Sequence, residues 1–222
     1  MVGVTQLDLS VEFATNPEPR CACVLLLDVS GSMSGKPIAA LNEGLRAFAT
    51  DLATDALASQ RVEVSIVTFG GAGVKVEQDF VTASGFEPPT LASSGGTPMG
   101  AAIEQALTMV DQRKVQYREN GIVYYRPWVF LITDGEPTDS WENAAAAVRR
   151  AEEANGLAFF AVGVEGANFD VLSKIAVRQP LKLQGLQFVE LFVWLSRSQR
   201  AVSTSKPGDQ TALPTVDGWA VV

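Results

Sequence analysis

The stretch CVLLLDVSGSM, residues 23–33, decides the fold, because an apolar run ends there in an aspartate followed by a serine-rich turn. Residues 21–29 are almost wholly apolar, as expected of a central strand that is covered on both faces. The same arrangement returns at residues 128–134, where WVFLIT is followed by Asp134. Such strands alternate with helical segments along the chain. This alternation predicts an α/β fold with a doubly wound, mostly parallel central sheet.

The remaining elements follow from apolar periodicity and turn signals. Residues 74–80 alternate apolar and charged side chains, which indicates one antiparallel edge strand. Further strands are predicted at residues 61–69, 128–133, 157–164 and 181–183. Helices are predicted from the cap Ser34 to Leu52 and at about 99–117, 141–155, 169–176 and 188–205.

The predicted organisation is a single domain over residues 1–205 followed by an extended tail over residues 206–222. A chain of 222 residues with 47% hydrophobic side chains can bury the core of one α/β domain. An extra N-terminal strand is predicted at about residues 5–13, because apolar and polar side chains alternate there. Trp219 is expected to pack against the domain although it lies in the tail.

Charge and composition exclude several classes of partner. The net charge is −8, from 25 acidic against 17 basic residues, and no cluster of Lys or Arg stands out. Nucleic acid and anionic membranes are therefore poor partners. No apolar stretch approaches the roughly 18 residues needed to cross a bilayer. The first residues lack the basic and apolar regions of a secretory signal, so a cytoplasmic location is expected.

Histidine is absent and cysteine is scarce, which limits the chemistry that the chain can perform. Without histidine, Ser-His-Asp and Cys-His catalysis are ruled out. Cys21 and Cys23 are the only cysteines, and in a strand they point to the same face, a poor geometry for a disulfide. A zinc site is implausible with this inventory. No catalytic residue is predicted, and the chain is not expected to be an enzyme.

Five oxygen-bearing side chains form the candidate site: Asp28, Ser30, Ser32, Thr97 and Asp134. Ligands of open α/β sheets bind beyond the carboxyl ends of the strands, where the strand order reverses, and these residues can meet there. Hard oxygen donors suit Mg²⁺ or Mn²⁺. Because hydroxyls are neutral, an ion held by them can still attract a carboxylate from another molecule. The sequence thus predicts a metal-dependent binding module.

Each part of this pattern also has an ordinary structural interpretation. Serine and aspartate favour turns, and Thr97-Pro98 can simply begin a helix. Only the joint occurrence of the segments makes the site prediction specific. The acidic residues of the neighbouring segment are interpreted as acids of the rim or of a first helical turn, not as ligands: Glu136, Asp139 and Glu142.

The pattern Asp28-x-Ser30-x-Ser32, with Thr97 and Asp134, resembles the metal-ion-dependent adhesion site (MIDAS) of von Willebrand factor A domains. Nearly the whole chain is similar to that Rossmann-like fold. The strings at residues 25–35 and 132–139, and the ending at residues 217–219, resemble more closely the bacterial TerY (YegL-like) branch, which is associated with tellurium-resistance gene clusters.

The resemblance implies a role for each site residue. Ser30 and Ser32 would ligate the ion directly, and Thr97 directly or through water. Asp28 and Asp134 would act mainly through water, and the sixth position would go to water or to a partner's Asp or Glu. Mg²⁺ is the expected ion, with Mn²⁺ and Ca²⁺ as alternatives.

The resemblance also implies a biological setting. The chain would be a scaffold or regulator in a bacterial system of resistance to tellurite and related stress. Its partners would be a protein phosphatase of the metal-dependent Ser/Thr class and a protein kinase.

A metal-dependent phosphoryl-transfer enzyme, phosphatase-like, is the alternative function. Phosphatases of the haloacid-dehalogenase type carry an acid two residues after the nucleophilic aspartate, whereas this chain has Ser30 two residues after Asp28. A P-loop is excluded by spacing, because Gly31 and Gly35 are separated by three residues where four are required.

Overall fold

The chain folds around one seven-stranded sheet in the computed structural model, which describes residues 6–216 and 218–221. The strands are β1 (Cys21–Asp28), β2 (Val62–Gly70), β3 (Gly73–Thr82), β4 (Trp128–Thr133), β5 (Ala158–Gly163), β6 (Leu181–Leu183) and β7 (Ala220–Val221). The helices are α1 (Gln6–Thr15), α2 (Lys36–Ala53), α3 (Ala58–Arg61), α4 (Met99–Glu119), α5 (Glu142–Glu153), α6 (Phe169–Ile175) and α7 (Phe188–Thr204).

The strand order is β3-β2-β1-β4-β5-β6-β7. Strands β2, β1, β4, β5 and β6 are parallel, and β3 pairs antiparallel with β2 at one edge. The predicted α/β fold with a mostly parallel sheet and an antiparallel edge strand is confirmed. The two-residue strand β7 adds a second antiparallel edge, against β6. The chain proceeds from β1 to β2 on one side and later places β4 on the other, so the strand order reverses between β1 and β4.

Both faces of the sheet are covered, which explains why β1 is apolar at nearly every position. Leu25 and Leu27 belong to a core shared with α2 and α7, where the rings of Phe48 and Phe192 lie 5.6 Å apart. Leu26 belongs to a second core, built with α4, α5 and α6. Every residue of β1 is buried. The prediction of a central strand covered on both faces is therefore confirmed.

Most of the predicted elements are confirmed, with ends shifted by a few residues. Strands β4 and β6 have the predicted bounds, whereas the short helix α3 has no counterpart in the sequence prediction. Cys21 and Cys23 are buried and unbridged, as their spacing predicts. None of the helices described is both long and apolar enough to cross a membrane.

The predicted N-terminal strand at about residues 5–13 is wrong, because residues 6–15 form helix α1; residue 5 lies outside the described residues. On a strand Val11 and Phe13 would share a face, but side chains two apart on a helix are separated by about 200°. Val11 is accordingly 59% exposed and Phe13 only 3% exposed. The Phe13 ring packs edge-on against Tyr117, with 5.9 Å between ring centroids. The burial of Phe13 and the exposure of Val11 fit a helix and not the predicted strand.

Residues 206–216 contain neither helix nor strand, and the chain then returns to the sheet through β7. Residues 217 and 222 lie outside the described part of the chain. Trp219 is buried, as expected, with its ring 5.3 Å from that of Trp194. The indole nitrogen of Trp194 donates a 2.9 Å hydrogen bond to the carbonyl oxygen of Pro214. The tail therefore contributes to the core on the α7 face.

Candidate metal centre

Parallel pairing brings the two aspartates of the candidate site together. Asp28 is the last residue of β1, and Asp134 directly follows β4. The two strands are neighbours, with Leu27 opposite Ile132 in the register. Their carboxyl ends therefore lie side by side at the point where the strand order reverses, the position at which open α/β sheets bind ligands.

Asp28 is fully buried, and each of its carboxylate oxygens accepts a hydrogen bond. Oδ1 accepts from the backbone N–H of Ser30 at 2.8 Å, and Oδ2 accepts from the hydroxyl of Thr133 at 2.5 Å. The Thr133 hydroxyl also accepts from the N–H of Gly135 at 3.2 Å. Thr133 was not predicted, although its position as the last residue of a buried strand, one before Asp134, was a usable signal. Thr133 orients Asp28 and the turn after β4 together.

Two serine hydroxyls connect the β1 loop to the second aspartate. The hydroxyls of Ser30 and Ser32 lie 2.9 Å apart, and Ser32 donates a 2.7 Å hydrogen bond to Oδ1 of Asp134. Two oxygens bound at right angles to one Mg²⁺, each about 2.1 Å from it, would be roughly 3 Å apart. The Ser30–Ser32 separation therefore fits two adjacent ligands of such an ion. Ser32 is exposed, whereas Ser30 and Asp134 are buried.

The loop that carries Thr97 is held against the β1 loop by backbone contacts. Ser94 N–H donates to the carbonyl of Val29 at 2.8 Å, and Gly31 N–H donates to the carbonyl of Gly95 at 2.8 Å. Gly95 has a φ of 66°, and a Cβ there would lie 2.1 Å from the Cα of Gly71. Only glycine permits this approach and this backbone conformation. The glycines of residues 93–97 therefore let the loop reach the site.

Thr97 itself is buried next to Asp28. A Cβ placed on Gly135 would lie 3.3 Å from Thr97 Oγ1 and 3.7 Å from Asp28 Oδ2, so both oxygens border the same glycine. All five predicted residues are thus brought together by three loops at one end of the sheet.

The centre carries negative charge without a basic partner. Neither Asp28 nor Asp134 forms a salt bridge with any residue that the structure describes. Burial raises the pKa of Asp28, and the nearby charge of Asp134 acts in the same direction, while hydrogen bonds from Ser30 and Thr133 oppose the rise. Carboxylate and hydroxyl oxygens, without nitrogen or sulfur, are a donor set that could hold a small hard cation.

A family model for the von Willebrand factor type A domain matches residues 23–182, a span that contains all five residues of this centre. The chain belongs to this family. No curated protein sequence matches it.

Solved structures support the von Willebrand factor A fold. The pilus adhesin SpaC from Lactobacillus rhamnosus GG matches with a TM-score of 0.63 and 15% identity, over 83% of this chain and 30% of the adhesin. Proximal thread matrix protein 1 from the mussel byssus matches with a TM-score of 0.57 and 15% identity, over 82% of this chain and 48% of that protein. The SpRpn10 VWA domain matches with a TM-score of 0.54 and 15% identity, over 78% of this chain and 95% of that domain.

The chain therefore spans about half of the mussel protein and under a third of the adhesin, but nearly all of the isolated SpRpn10 domain. At 15% identity these matches show the fold alone.

Proposed function

We propose that this von Willebrand factor A domain is a metal-dependent protein-binding module that acts as a scaffold or regulator and not as an enzyme. One observation carries the proposal: two buried carboxylates, Asp28 and Asp134, share a centre with three hydroxyl side chains and have no basic partner among the described residues. Burying unpaired charges is costly, and coordination of a cation offsets that cost.

Each residue has a distinct part in this proposal. Ser30, Ser32 and Thr97 would hold the ion through their hydroxyl oxygens, with Mg²⁺ the preferred ion and Mn²⁺ and Ca²⁺ the alternatives. Asp28 would be kept in place by the hydrogen bonds from Ser30 and Thr133. Asp134 would balance charge from the β4 side, where Ser32 already contacts it. The bound ion would supply positive charge for one more anionic ligand.

The proposed partner is a protein that offers an Asp or Glu carboxylate. Neutral hydroxyl ligands leave the ion under-neutralised, and attraction in a partly dry site is stronger than across bulk water. Ser32 is exposed while Asp28 and Ser30 are buried, so a partner would approach from the Ser32 side. The pilus adhesin of similar fold is a binding protein by name, but the proposal depends on the site and not on that likeness.

The biological role and the identity of the partners are inferred from the sequence resemblance alone. On the strings at residues 25–35 and 132–139 we assign the chain to the TerY-like branch, with a role in resistance to tellurite and related stress. A metal-dependent Ser/Thr phosphatase and a protein kinase are the proposed partners, in the cytoplasm.

The alternative, a phosphoryl-transfer enzyme, gains no support from the site. Residue 30 is a serine where that mechanism needs an acid.

Calorimetric titration with Mn²⁺ tests the metal centre. The wild-type chain is expected to bind one ion, and the Ser30→Ala/Ser32→Ala variant none. The matched control is Ser34→Ala/Ser93→Ala, which removes another serine pair, also 2.9 Å apart, that joins the β1 loop to the loop carrying Thr97 and lies outside the five residues. Equal binding by the Ser30→Ala/Ser32→Ala variant and the wild type would defeat the assignment.

A pull-down tests the binding function. Wild-type bait and Ser30→Ala/Ser32→Ala bait are incubated with lysate of the source organism, and captured proteins are identified by mass spectrometry. The wild-type bait is expected to capture a genuine partner in Mg²⁺. The chelator should release that partner, and restoring Mg²⁺ should allow it to bind again. A partner retained equally in chelator, or by the variant bait, would contradict the metal-bridged mechanism.

A further inference from the structure

The loop after β4 also contacts the segment that carries Thr97. The hydroxyl of Thr138 accepts a 3.0 Å hydrogen bond from the N–H of Thr97, and the N–H of Thr138 donates a 2.9 Å hydrogen bond to the carbonyl of Thr97. Both backbone polar groups of Thr97 are therefore bonded to one residue that lies 41 positions away in the sequence. The backbone from which the Thr97 hydroxyl projects is fixed by this pair.

The next residue, Asp139, holds the start of α4. Its Oδ1 accepts from the N–H of Gly100 at 3.0 Å, and its Oδ2 accepts from the N–H of Ala101 at 2.9 Å. The first N–H groups of a helix have no partner within the helix and are usually satisfied by a capping side chain. Here the residue at the cap position is Pro98, which makes no side-chain cap. Asp139 supplies the cap from another loop.

The two loops have little space between them. A Cβ on Gly100 would lie 2.2 Å from the carbonyl oxygen of Ser140, and a Cβ on Gly96 would lie 3.2 Å from the hydroxyl of Thr138. Thus Gly96, directly before Thr97, and Gly100, three residues after it, both lie close to the loop after β4. Displacement of one loop would displace the other, because the contact is direct and closely packed.

We propose that Thr138 and Asp139, here called the 138–139 clamp, are positioning residues of the metal centre. The clamp belongs to the same loop as Asp134, so it fixes the Thr97 hydroxyl relative to that carboxylate. This inference rests on the proposed metal-binding function. Side chains that orient metal ligands typically change metal affinity roughly 10- to 100-fold when they are mutated.

A purely structural role for the clamp would lower stability without lowering metal affinity. Asp55 provides the comparison, because its Oδ1 accepts from the N–H groups of Leu57 and Ala58 at 3.0 and 2.8 Å at the start of α3. Asp55→Ala therefore removes the acceptor of two helix-start N–H groups away from the metal centre, as Asp139→Ala does beside it. Thr138→Ser keeps the hydroxyl that accepts from Thr97, whereas Thr138→Val keeps the side-chain shape but removes that hydroxyl.

The experiment measures Mn²⁺ affinity and urea unfolding for these variants. Thr138→Val and Asp139→Ala are expected to bind Mn²⁺ roughly 10- to 100-fold more weakly. Thr138→Ser and Asp55→Ala are expected to bind like the wild type, even where Asp55→Ala is as destabilised as Asp139→Ala. Hydrogen exchange of the metal-free protein adds a second readout, because the Thr97 amide should exchange faster in Thr138→Val and not in Thr138→Ser.

The outcomes separate the two proposals. If the wild type itself bound no Mn²⁺, both the metal centre and the clamp would be rejected. If the wild type bound Mn²⁺ and Thr138→Val bound it equally well, only the clamp would be rejected. Weakening by Asp55→Ala to the same degree would also reject it, since affinity would then follow overall stability.

Discussion

Ser32 donates a 2.7 Å hydrogen bond to the carboxylate of Asp134, although 102 residues separate them in the sequence. The contact exists because β1 and β4 are parallel neighbours, which places the loop after one strand beside the loop after the other. A hydroxyl proton offsets only part of the charge of a carboxylate. A cation bound by the same groups would offset more of it, so metal binding and folding should be coupled.

Addition of Mn²⁺ is therefore expected to stabilise the fold. A ligand that binds only the folded state at about 100 times its Kd raises the free energy of unfolding by about 2.7 kcal/mol. Ser32→Ala should lose this gain, while its metal-free stability should fall by about 1.5–3 kcal/mol, the net contribution of a hydrogen bond to a charged group. Urea unfolding with and without Mn²⁺ measures both quantities. An undiminished Mn²⁺ effect in Ser32→Ala would contradict the assignment.

Asp28→Asn is expected to stabilise the metal-free protein at neutral pH while weakening its metal binding. Burial raises the pKa of Asp28, so the folded state holds the proton more tightly than the unfolded state does. The free energy of unfolding therefore falls as pH rises from the pKa of Asp28 in the unfolded state to its higher pKa in the folded state. Above the folded pKa, the whole cost of burying the Asp28 charge is present. Asparagine carries no such charge.

The advantage of Asp28→Asn over the wild type should be present at neutral pH and should vanish at pH below the ordinary pKa of an aspartate. Thermal unfolding in chelator over a pH series measures this difference. A variant less stable than the wild type at neutral pH would show that the hydrogen bonds of Asp28 outweigh its burial.

The centre of the fold could be predicted from sequence because its strands are buried on both faces. Residues 128–133 are a continuous apolar run, and the observed strand has the same bounds. Helix α1 could not be predicted, because the side chains of residues 5–13 alternate as in a strand. The Phe13 side chain packs on Tyr117, a residue distant in the sequence, and local alternation carries no information about such a contact.

The five predicted site residues could be placed at one edge of the sheet from the sequence, because each ends a strand, follows a strand or follows a glycine pair. Thr133 offered only its place at the end of a buried strand as a signal, and Thr138 could not be distinguished from an ordinary turn residue. Their partners, Asp28 and Thr97, lie 105 and 41 positions away, and only the paired strands bring them within hydrogen-bond distance.

Gly95→Ala should be more damaging than Gly73→Ala, although both glycines have positive φ. A Cβ on Gly73 would meet nothing within 4 Å, so the change should cost only the left-handed backbone strain, about 1–2 kcal/mol. A Cβ on Gly95 would lie 2.1 Å from the Cα of Gly71, so the loop that carries Thr97 must also move. Mn²⁺ affinity is therefore expected to fall in Gly95→Ala and to stay unchanged in Gly73→Ala. Equal affinities would show that the close approach does not position Thr97.

A buried ion cluster lies at the opposite end of the strands and should affect stability alone. Glu63, one residue after the start of β2, accepts hydrogen bonds from Arg20, Arg113 and Tyr117, and all four side chains are buried. Asp28 is opposite Phe69 at the other end of β2. The cluster and the metal centre are thus separated by nearly the full length of the strand.

Glu63→Ala should destabilise the protein by about 3–5 kcal/mol, because it removes the acid that pairs with the buried Arg20 and leaves Arg113 paired only with Glu12 among the described residues. Asp111→Ala is the matched control, since it breaks the pair of the exposed Asp111 with the half-buried Lys114, and surface pairs contribute about 0–1 kcal/mol. Urea unfolding measures both changes. At a temperature where each variant is folded, Mn²⁺ affinity should match that of the wild type. A loss of affinity in Glu63→Ala alone would mean that the two ends of the sheet are coupled, because no contact of Glu63 reaches the centre directly.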